Sequence, residues 1–441
     1  MTPREAALAI WQAALAAGDV TPLIRAVLRR ERGTLQAGPL RLDLARIARV
    51  LVLGCGKASG AMAAAVEAVL GDRISDGLVV VKDGYTAPTS IVRLAEAGHP
   101  VPDRRGEAAA GRLRALAESA GADDLVLVLI SGGGSALTPA PAPPVTLAEK
   151  QAVTRTLLGA GATIGELNAV RKHLSLLKGG QLARAAAPAT VLTLALSDVI
   201  GDPLDVIASG PTAPDPTTFG EALAVLARRV IGERVPHSVS ERLHAGARGE
   251  VPETPKPGDP LFRRVTNLVI GNNTLITDAA VTTAERLGYR PYLLTGQLQG
   301  EARAVARELI ERGRRLEPPA CMIAAGETTV TVRGPGRGGR CQEFALASAV
   351  EIGGDGSLTV LAAGTDGTDG PTDAAGAIID GDTVSRGRAA GGDPRGALED
   401  NDSHTFLRAS GDLLVSGPTR TNLLDLYLIL RAPAQRVGEA V

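Results

Sequence analysis

RVLVLGCGKASGAM, residues Arg49 to Met62, decides how the rest of the chain is read. Val50–Leu53 reads as a buried strand, Gly54–Gly60 as a glycine-rich turn, and the small residues that follow as a helix. Glycine lets a backbone approach a ligand closely, and a helix start offers free N–H groups to an anion. Lys57 stands in the turn, where it can supply a cation. The named phosphate motifs do not fit. Gly54, Gly56 and Gly60 are spaced G-x-G-x-x-x-G rather than G-x-G-x-x-G, and no G-x-x-x-x-G-K-[ST] run is present. By itself the stretch is either a phosphate site or a tight strand-to-helix turn.

The same alternation continues outward. Val50–Leu53, Leu78–Val81, Leu125–Ile130 and Val191–Leu196 read as strands buried on both faces, with helices over Ala58–Leu70, Arg104–Ala120, Thr146–Ile164 and Asn168–Ala187 between them. This predicts a parallel α/β sheet flanked by helices, with ligands outside the carboxyl ends of its strands. ARGEVPETPKPGDP, residues 247 to 260, lacks periodicity and is the best linker candidate. A second α/β unit follows. It runs through strand Leu268–Ile270, helix Thr274–Leu287, strand Tyr289–Leu294 and helix Ala302–Leu316. Cys321–Ala325 and Thr328–Val332 then read as a strand pair or one bent strand, before helix Gln342–Ile352 and strand Leu358–Ala363. Short helices, loops and a final strand close the chain.

At 441 residues the chain exceeds one ordinary core, so two domains are expected. With 47 basic and 48 acidic residues it lacks the basic excess of a dedicated nucleic-acid binder. Cys55, Cys321 and Cys341 form neither a zinc spacing nor a disulfide framework, and with no secretory N-terminus they fit a reducing cytoplasm. The first 20 residues read as an amphipathic helix, and no apolar run is expected to span a membrane. Lysine is confined to positions 57, 82, 150, 172, 178 and 256 in a chain that otherwise uses arginine, so each invites a role for its compact ammonium. Lys150 and Lys256 read as incidental.

Several stretches carry chemistry. In ISGGGSAL, Ser131, Gly132, Gly133, Gly134 and Ser135 follow a buried strand and make an anion nest at its carboxyl end. In LNAVRKHLSLLKGGQLA, Arg171, Ser175 and Lys178 share one helical face, either for a ligand or for solvent, and His173 reads as structural. ALSDVIGDPLDVIASGPT places Asp198, Asp202 and Asp205 after a strand, where carboxylates suit Mg²⁺ or proton abstraction; Asp205 is the candidate helix cap. Gly210 and Thr212 close that stretch with further anion-binding groups. GETTVTVRGPGRGGRCQEFALA carries Glu327, then Arg333, Arg337 and Arg340 on a glycine loop ahead of a helix, an arrangement suited to phosphoryl groups. LAAGTDGTDGPTDAAGAIID offers Asp366, Asp369 and Asp373, with Asp366 nearest the strand end. His404 is either a substrate contact or a packed histidine. No G-x-S-x-G elbow or H-E-x-x-H motif exists. Together the glycine turns, sparse cations and strand-end aspartates describe a site for polyphosphate plus Mg²⁺.

GCGKAS, EAGHPVPD, ISGGGSAL, NAVRKHLSLLKGGQLA, SDVIGDPLDVIASGPT, GGRCQEFALA, AAGTDGTDGP and SGPTRTN, in this order, resemble glycerate 2-kinases of the bacterial and animal type, whose C-terminal part is the MOFRL domain. The resemblance implies a Rossmann-like N-terminal α/β domain over residues 1–250, a MOFRL α/β domain over 260–441, and an active site in the cleft between them. It implies phosphorylation of D-glycerate, a small-molecule partner, at its 2-hydroxyl by ATP with Mg²⁺ or another divalent cation. Homo-oligomerisation stays open. Lys57 matches the family's active-site lysine, Arg340 its arginine, and Asp198 and Asp366 its aspartates. The aspartates are then catalytic or metal-holding residues, with Asp198 the preferred base. The chain departs from the pattern at Cys341, where GGRNQE has Asn, and at Arg420, where GPTGTN has Gly. Some members carry the name hydroxypyruvate reductase, which makes that activity the alternative. It needs an acidic ribose contact near Val81-Lys82-Asp83, where Lys82 interferes.

Overall fold

The structure is a computed structural model that describes residues 1–229, 231 and 234–433. Two compact units make it up, one formed by Val20–Ile270 and the other by Met1–Asp19 with the chain from Gly271 onward. In chain order the first elements are α1 (Pro3–Ala17), α2 (Val20–Val27), and the small antiparallel sheet of β1 (Leu28–Glu31), β2 (Thr34–Ala37) and β3 (Leu40–Asp43). Then come β4 (Val50–Cys55), α3 (Ser59–Leu70), β5 (Ile74–Lys82), β6 (Arg93–Ala97), α4 (Arg104–Glu118) and β7 (Leu125–Ile130). Next are α5 (Gly134–Leu137), α6 (Leu147–Gly159), α7 (Ile164–His173), α8 (Gln181–Ala186) and β8 (Thr190–Leu196). The stretch ends with α9 (Phe219–Arg228), α10 (His237–Ala247) and β9 (Val265–Gly271).

The larger sheet of the Val20–Ile270 unit has the order β6-β5-β4-β7-β8-β9, and its junctions from β6 to β8 are parallel. Every residue of β4 and β7 is buried, as a parallel sheet covered on both faces requires. Leu51, Leu53, Val126 and Val128 pack with Ala109, Ala110 and Leu113 of α4, while α3 covers β4, β5 and β7. The register Cys55–Ile130–Ala195 sets the turns after β4, β7 and β8 side by side. Helices α6, α7, α9 and α10 have a separate core that includes Val153, Leu157, Val170, Phe219 and Leu243.

The helix expected over Asn168–Ala187 breaks after His173. Ser175 Oγ accepts the N–H groups of Leu177 and Lys178, both at 3.2 Å, and Gly179 and Gly180 adopt positive φ. A serine that bonds its own neighbouring backbone competes with the helix ladder.

The second unit contains α11 (Asn273–Arg286), β10 (Arg290–Leu298), α12 (Ala302–Gly313), β11 (Ala320–Gly326), α13 (Arg340–Ile352) and β12 (Leu358–Gly364). It continues through β13 (Gly376–Asp380), α14 (Thr383–Ala389), α15 (Pro394–Glu399), α16 (Ser403–Ala409), β14 (Leu413–Leu414) and β15 (Asp425–Arg431). Its mixed sheet runs β10-β11-β15-β12-β13-β14, so the C-terminal strand is inserted at the centre. Thr328–Val332 is not a strand. Thr328 Oγ1 lies 2.9 Å from Tyr427 Oη, and Thr329 forms an isolated bridge with Glu301.

Three further expectations change. The boundary placed between residues 250 and 260 falls at both ends of Val20–Ile270 instead. Asp215 N donates to Pro255 O at 2.8 Å, Thr254 Oγ1 to Asp215 Oδ2 at 2.9 Å, and Arg184 to Glu253 O at 2.8 Å, so residues 253–255 are bound into this unit rather than linking two. Strand β9, expected to open the second unit, completes the first sheet. Pro3–Val27 is long and apolar enough by composition to cross a membrane, contrary to the expectation that no run is. In the structure this stretch is two helices separated at Gly18–Asp19. Helix α1 buries Ile10, Trp11 and Ala14, and Arg4 pairs with Asp380 at 2.7 Å and Asp412 at 2.8 Å.

Asp215 anchors the 253–255 segment and faces Lys172 Nζ at 3.3 Å, both groups being buried. Burial pushes its carboxyl up, but Lys172 and the Thr217 hydrogen bonds outweigh that and hold it below the usual range. Asp215→Ala leaves a buried ammonium short of a partner and is expected to cost about 3–5 kcal/mol in urea denaturation. Asp205→Asn, at the more exposed end of the same pair, is expected to cost less.

Candidate active site

In Val20–Ile270 the two glycine turns are joined. Ser131 N donates to Cys55 O at 3.1 Å, Lys57 N to Gly132 O at 2.9 Å, and Ala58 N to Ser131 Oγ at 2.9 Å. Ser59 Oγ lies 3.0 Å from the same hydroxyl. Gly56 has φ +140°, and a Cβ there would stand 2.1 Å from Ser131 Oγ, so only glycine closes this turn. Lys57 is thereby held at a tip whose base is Ser131. A Cβ on Gly133 would lie 3.5 Å from Lys57 Cγ and 3.0 Å from the His99 ring, which places the lysine stem beside the second turn. The N–H groups of Ser131 and Gly134 are spent on Cys55 and Ser131 carbonyls, so the anion nest is smaller than its five residues suggest.

Ser135 starts a polar cluster. Its hydroxyl lies 2.9 Å from Ser209 Oγ, which donates to Asn168 Oδ1 at 3.1 Å. Arg171 donates to Ser135 Oγ, and Lys178 Nζ donates to Ser135 O at 2.7 Å. Arg171 and Lys178 therefore meet as expected, through the turn after α7 rather than along a helical face. Ala208 and Ser209, at φ +50° and +63°, hold the opposing loop in the left-handed region at a cost of about 1–2 kcal/mol per residue. Backbone strain of this kind gathers at functional sites.

Lys178 is 2% exposed and Lys150 6%. Among the described residues, the charges acting on Arg171, Lys178 and Lys150 are other cations and the Cys55 thiol, with no carboxylate. Burial, reinforced by Arg171, pushes the Lys178 ammonium down to about 7, and burial pushes Arg171 down to about 10. Lys150, read from sequence as incidental, donates to Leu174 O at 3.0 Å at the end of α7. Beside this cluster lies a cavity of about 430 Å³ lined by residues of the same unit, Gly133, Ser135, Lys150 and Arg171 among them.

Asp198 stands two residues past β8, next to the β7 turn, and is partly exposed. Asp205 takes Lys172 Nζ at 3.0 Å instead of capping a helix. Gly210 and Thr212 make bonds within the fold. Thr212 Oγ1 donates to Asn267 Oδ1 and accepts from Thr193, both at 2.8 Å, while Gly210 O accepts from Gly180 N at 2.7 Å. His173 is structural, with Nδ1 2.7 Å from Ala169 O and Nε2 3.1 Å from Glu253.

In the other unit Arg340 opens α13. It donates to Asp425 through Nε at 2.5 Å and Nη2 at 3.0 Å, and to Glu327 through Nη1 at 2.6 Å. Burial alone would lower its pKa, but the two carboxylates hold it far above the usual value. Asp369 accepts from Cys341 N at 3.2 Å and Gln342 N at 2.8 Å, satisfying the start of α13, and burial pushes its carboxyl up to about 6. Asp366 belongs to the same neighbourhood, because a Cβ on Gly364 would lie 3.4 Å from both Asp366 Oδ1 and Asp425 Oδ1. Arg333 and Arg337 sit on backbone tied to Asn401 and Asp402, and His404 is buried with Nε2 3.2 Å from Asp373. Cys341 is fully buried in the core of this unit, and Arg420 takes φ +64°, a conformation glycine adopts without strain. Sequence reading missed Asp425, whose one signal is a carboxylate inside the apolar run Leu423–Leu430.

A family model described as a domain of unknown function, DUF4147, matches residues 6–244, and one described as the MOFRL family matches residues 320–425. The chain belongs to the DUF4147–MOFRL family. It is 42% identical over 390 residues to a glycerate 2-kinase of Pyrococcus horikoshii, covering 87% of each chain. A crystal structure of a glycerate kinase from Thermotoga maritima matches with a TM-score of 0.81 at 39% identity, over 97% of this chain and 99% of that one. A protein of Agrobacterium vitis, 44% identical over 87% of each chain, carries the provisional name hydroxypyruvate reductase. The acidic residue available for a dinucleotide ribose, Asp83, is clamped by Arg105 through two bonds of 2.7 Å.

Lys178 gives this site a pH signature. Between about 7 and its ordinary value of 10.5 the unfolded chain holds a proton at this lysine that the folded chain has lost. Unfolding free energy therefore gains a rising contribution as pH increases through that window. Urea denaturation across the window is expected to show a steeper rise for the native protein than for Lys178→Met.

Proposed function

We propose that this protein is a glycerate 2-kinase, transferring the γ-phosphoryl group of ATP to the 2-hydroxyl of D-glycerate. The observation that carries the reading is family membership over residues 6–244 and 320–425, with Lys57 and Asp198 just past β4 and β8, the strands on either side of β7, and Arg340 at a helix start of the other unit. In the transfer, the glycerate O2 forms a bond to the γ-phosphorus as the bond to the bridging oxygen breaks, and ADP leaves. Lys57 is assigned the charge that develops on the transferring group, and Asp198 the hydroxyl proton. Arg340, already bound by Asp425 and Glu327, acts as an oriented donor of its remaining N–H groups toward the glycerate carboxylate. Asp366 backs this group with its carboxylate near Asp425.

Mg²⁺ on ATP needs only one or two protein carboxylates beside the phosphate oxygens, and Asp198 would be one that the lysine-bearing unit offers. Among the described residues no three His, Cys, Asp or Glu side chains form a metal site.

Incubating the protein with D-glycerate, ATP and Mg²⁺ is expected to yield ADP and a phosphomonoester whose phosphorus couples to the proton on C2 in NMR. NADH oxidation by hydroxypyruvate without ADP formation would contradict the reading. Lys57→Ala is expected to lower kcat by about 10²–10³ with unchanged circular dichroism, the loss typical of removing one stabilising group at a reacting centre. Arg340→Lys is expected to lose most activity, because lysine keeps the charge but loses the fork to Asp425.

A further inference from the structure

The cations around Ser135, Lys178 buried and Arg171 half-buried, are not needed by the chemistry assigned above. Arg171 and Lys178 both donate to Ser135, and no described carboxylate balances them. Lys172, on the same helix as Arg171, is equally buried but has Asp205 and Asp215 at 3.0 and 3.3 Å. A buried ion without a counter-charge is strongly unfavourable, so this fold keeps Arg171 and Lys178 for an anion supplied from outside.

The adjoining cavity is shaped for more than an anion. Its volume is about 430 Å³, and Val101, Pro102, Leu147, Leu158 and Leu167 line it together with polar groups such as Lys150 and Gln151. Val101 and Leu158, two of the few large apolar side chains exposed on this protein, are 62% and 57% exposed and both line it. Exposed apolar residues at a concave site mark ligand contact. A three-carbon hydroxy acid has no apolar part to occupy such walls, whereas a nucleotide pairs a flat base with a charged tail.

We infer that this cavity is the nucleotide site, with the base between Val101 and Leu158 and the phosphates against Arg171, whose charge Lys178 reinforces from behind Ser135. The inference rests on the kinase reading for the class of ligand, and it assigns specificity residues that the reading does not. Glycerate would then be held elsewhere.

The test is calorimetric titration of ATP, and separately of D-glycerate, into the full-length protein and three variants. Lys178→Met and Arg171→Met are expected to weaken ATP at least tenfold, leave D-glycerate within twofold, and keep Tm at or above the native value, because each removes a charge with no carboxylate partner among the described residues. Thr154→Trp, which spares both cations and fills the cavity from the surface of α6, is expected to weaken ATP by a similar factor. It also decides the matter if either methionine variant fails to fold. ATP affinity within twofold of native in Thr154→Trp and in the folded methionine variants overturns the inference. So does loss of D-glycerate binding with ATP unchanged, which assigns the cavity to the acceptor. If the native protein binds ATP but makes no phosphoglycerate, the kinase reading falls while the same comparison still decides the cavity.

Discussion

Gly56 lies against Ser131 with no space for a side chain between them. Two buried parallel strands, β4 and β7, bring these residues together, and the Ser131 hydroxyl then accepts the Ala58 N–H at the head of the helix α3 turn. That close approach turns two glycine loops into one rigid corner. Lys57 stands on one of the joined turns, and Ser135, bound by Arg171 and Lys178, follows the other. Without glycine at 56 the strands could still pair, but the turn carrying the lysine could not follow its present path.

Charge balance separates the two halves of the chemistry. Arg340 arrives with its counter-charges, Asp425 and Glu327, so it is stable without a ligand and its orientation is fixed in advance. Arg171 and Lys178 have only a serine, and burial draws both pKa values down. The first arrangement suits a positioning group; the second suits a site that is completed by binding. Lys172 shows that the same short segment balances a buried ammonium where no ligand is wanted.

The sequence made the parallel sheet legible because β4, β5, β7 and β8 are unbroken apolar runs, a pattern that needs no tertiary information. It located Lys57, Ser131–Ser135, Asp198 and Arg340 on strand ends and a helix start for the same reason. It failed where side chains act across the fold. The helix over Asn168–Ala187 ends early because Ser175 bonds its own backbone, and no periodicity reports that. The proline-rich segment near 255 resembles a linker in composition, yet Asp215 ties it down. Thr212, read as a phosphate contact, also bonds Asn267 and Thr193, partners that its position in the sequence does not reveal. Lys150 looked incidental because burial cannot be counted from a helix whose hydrophobic pattern is weak.

A crystal structure of the protein with a non-hydrolysable ATP analogue tests the account most directly. It predicts phosphate oxygens within hydrogen-bond distance of the Arg171 guanidinium, with the base against Leu158. A triphosphate bound with Arg171 still turned only to Ser135 would contradict it.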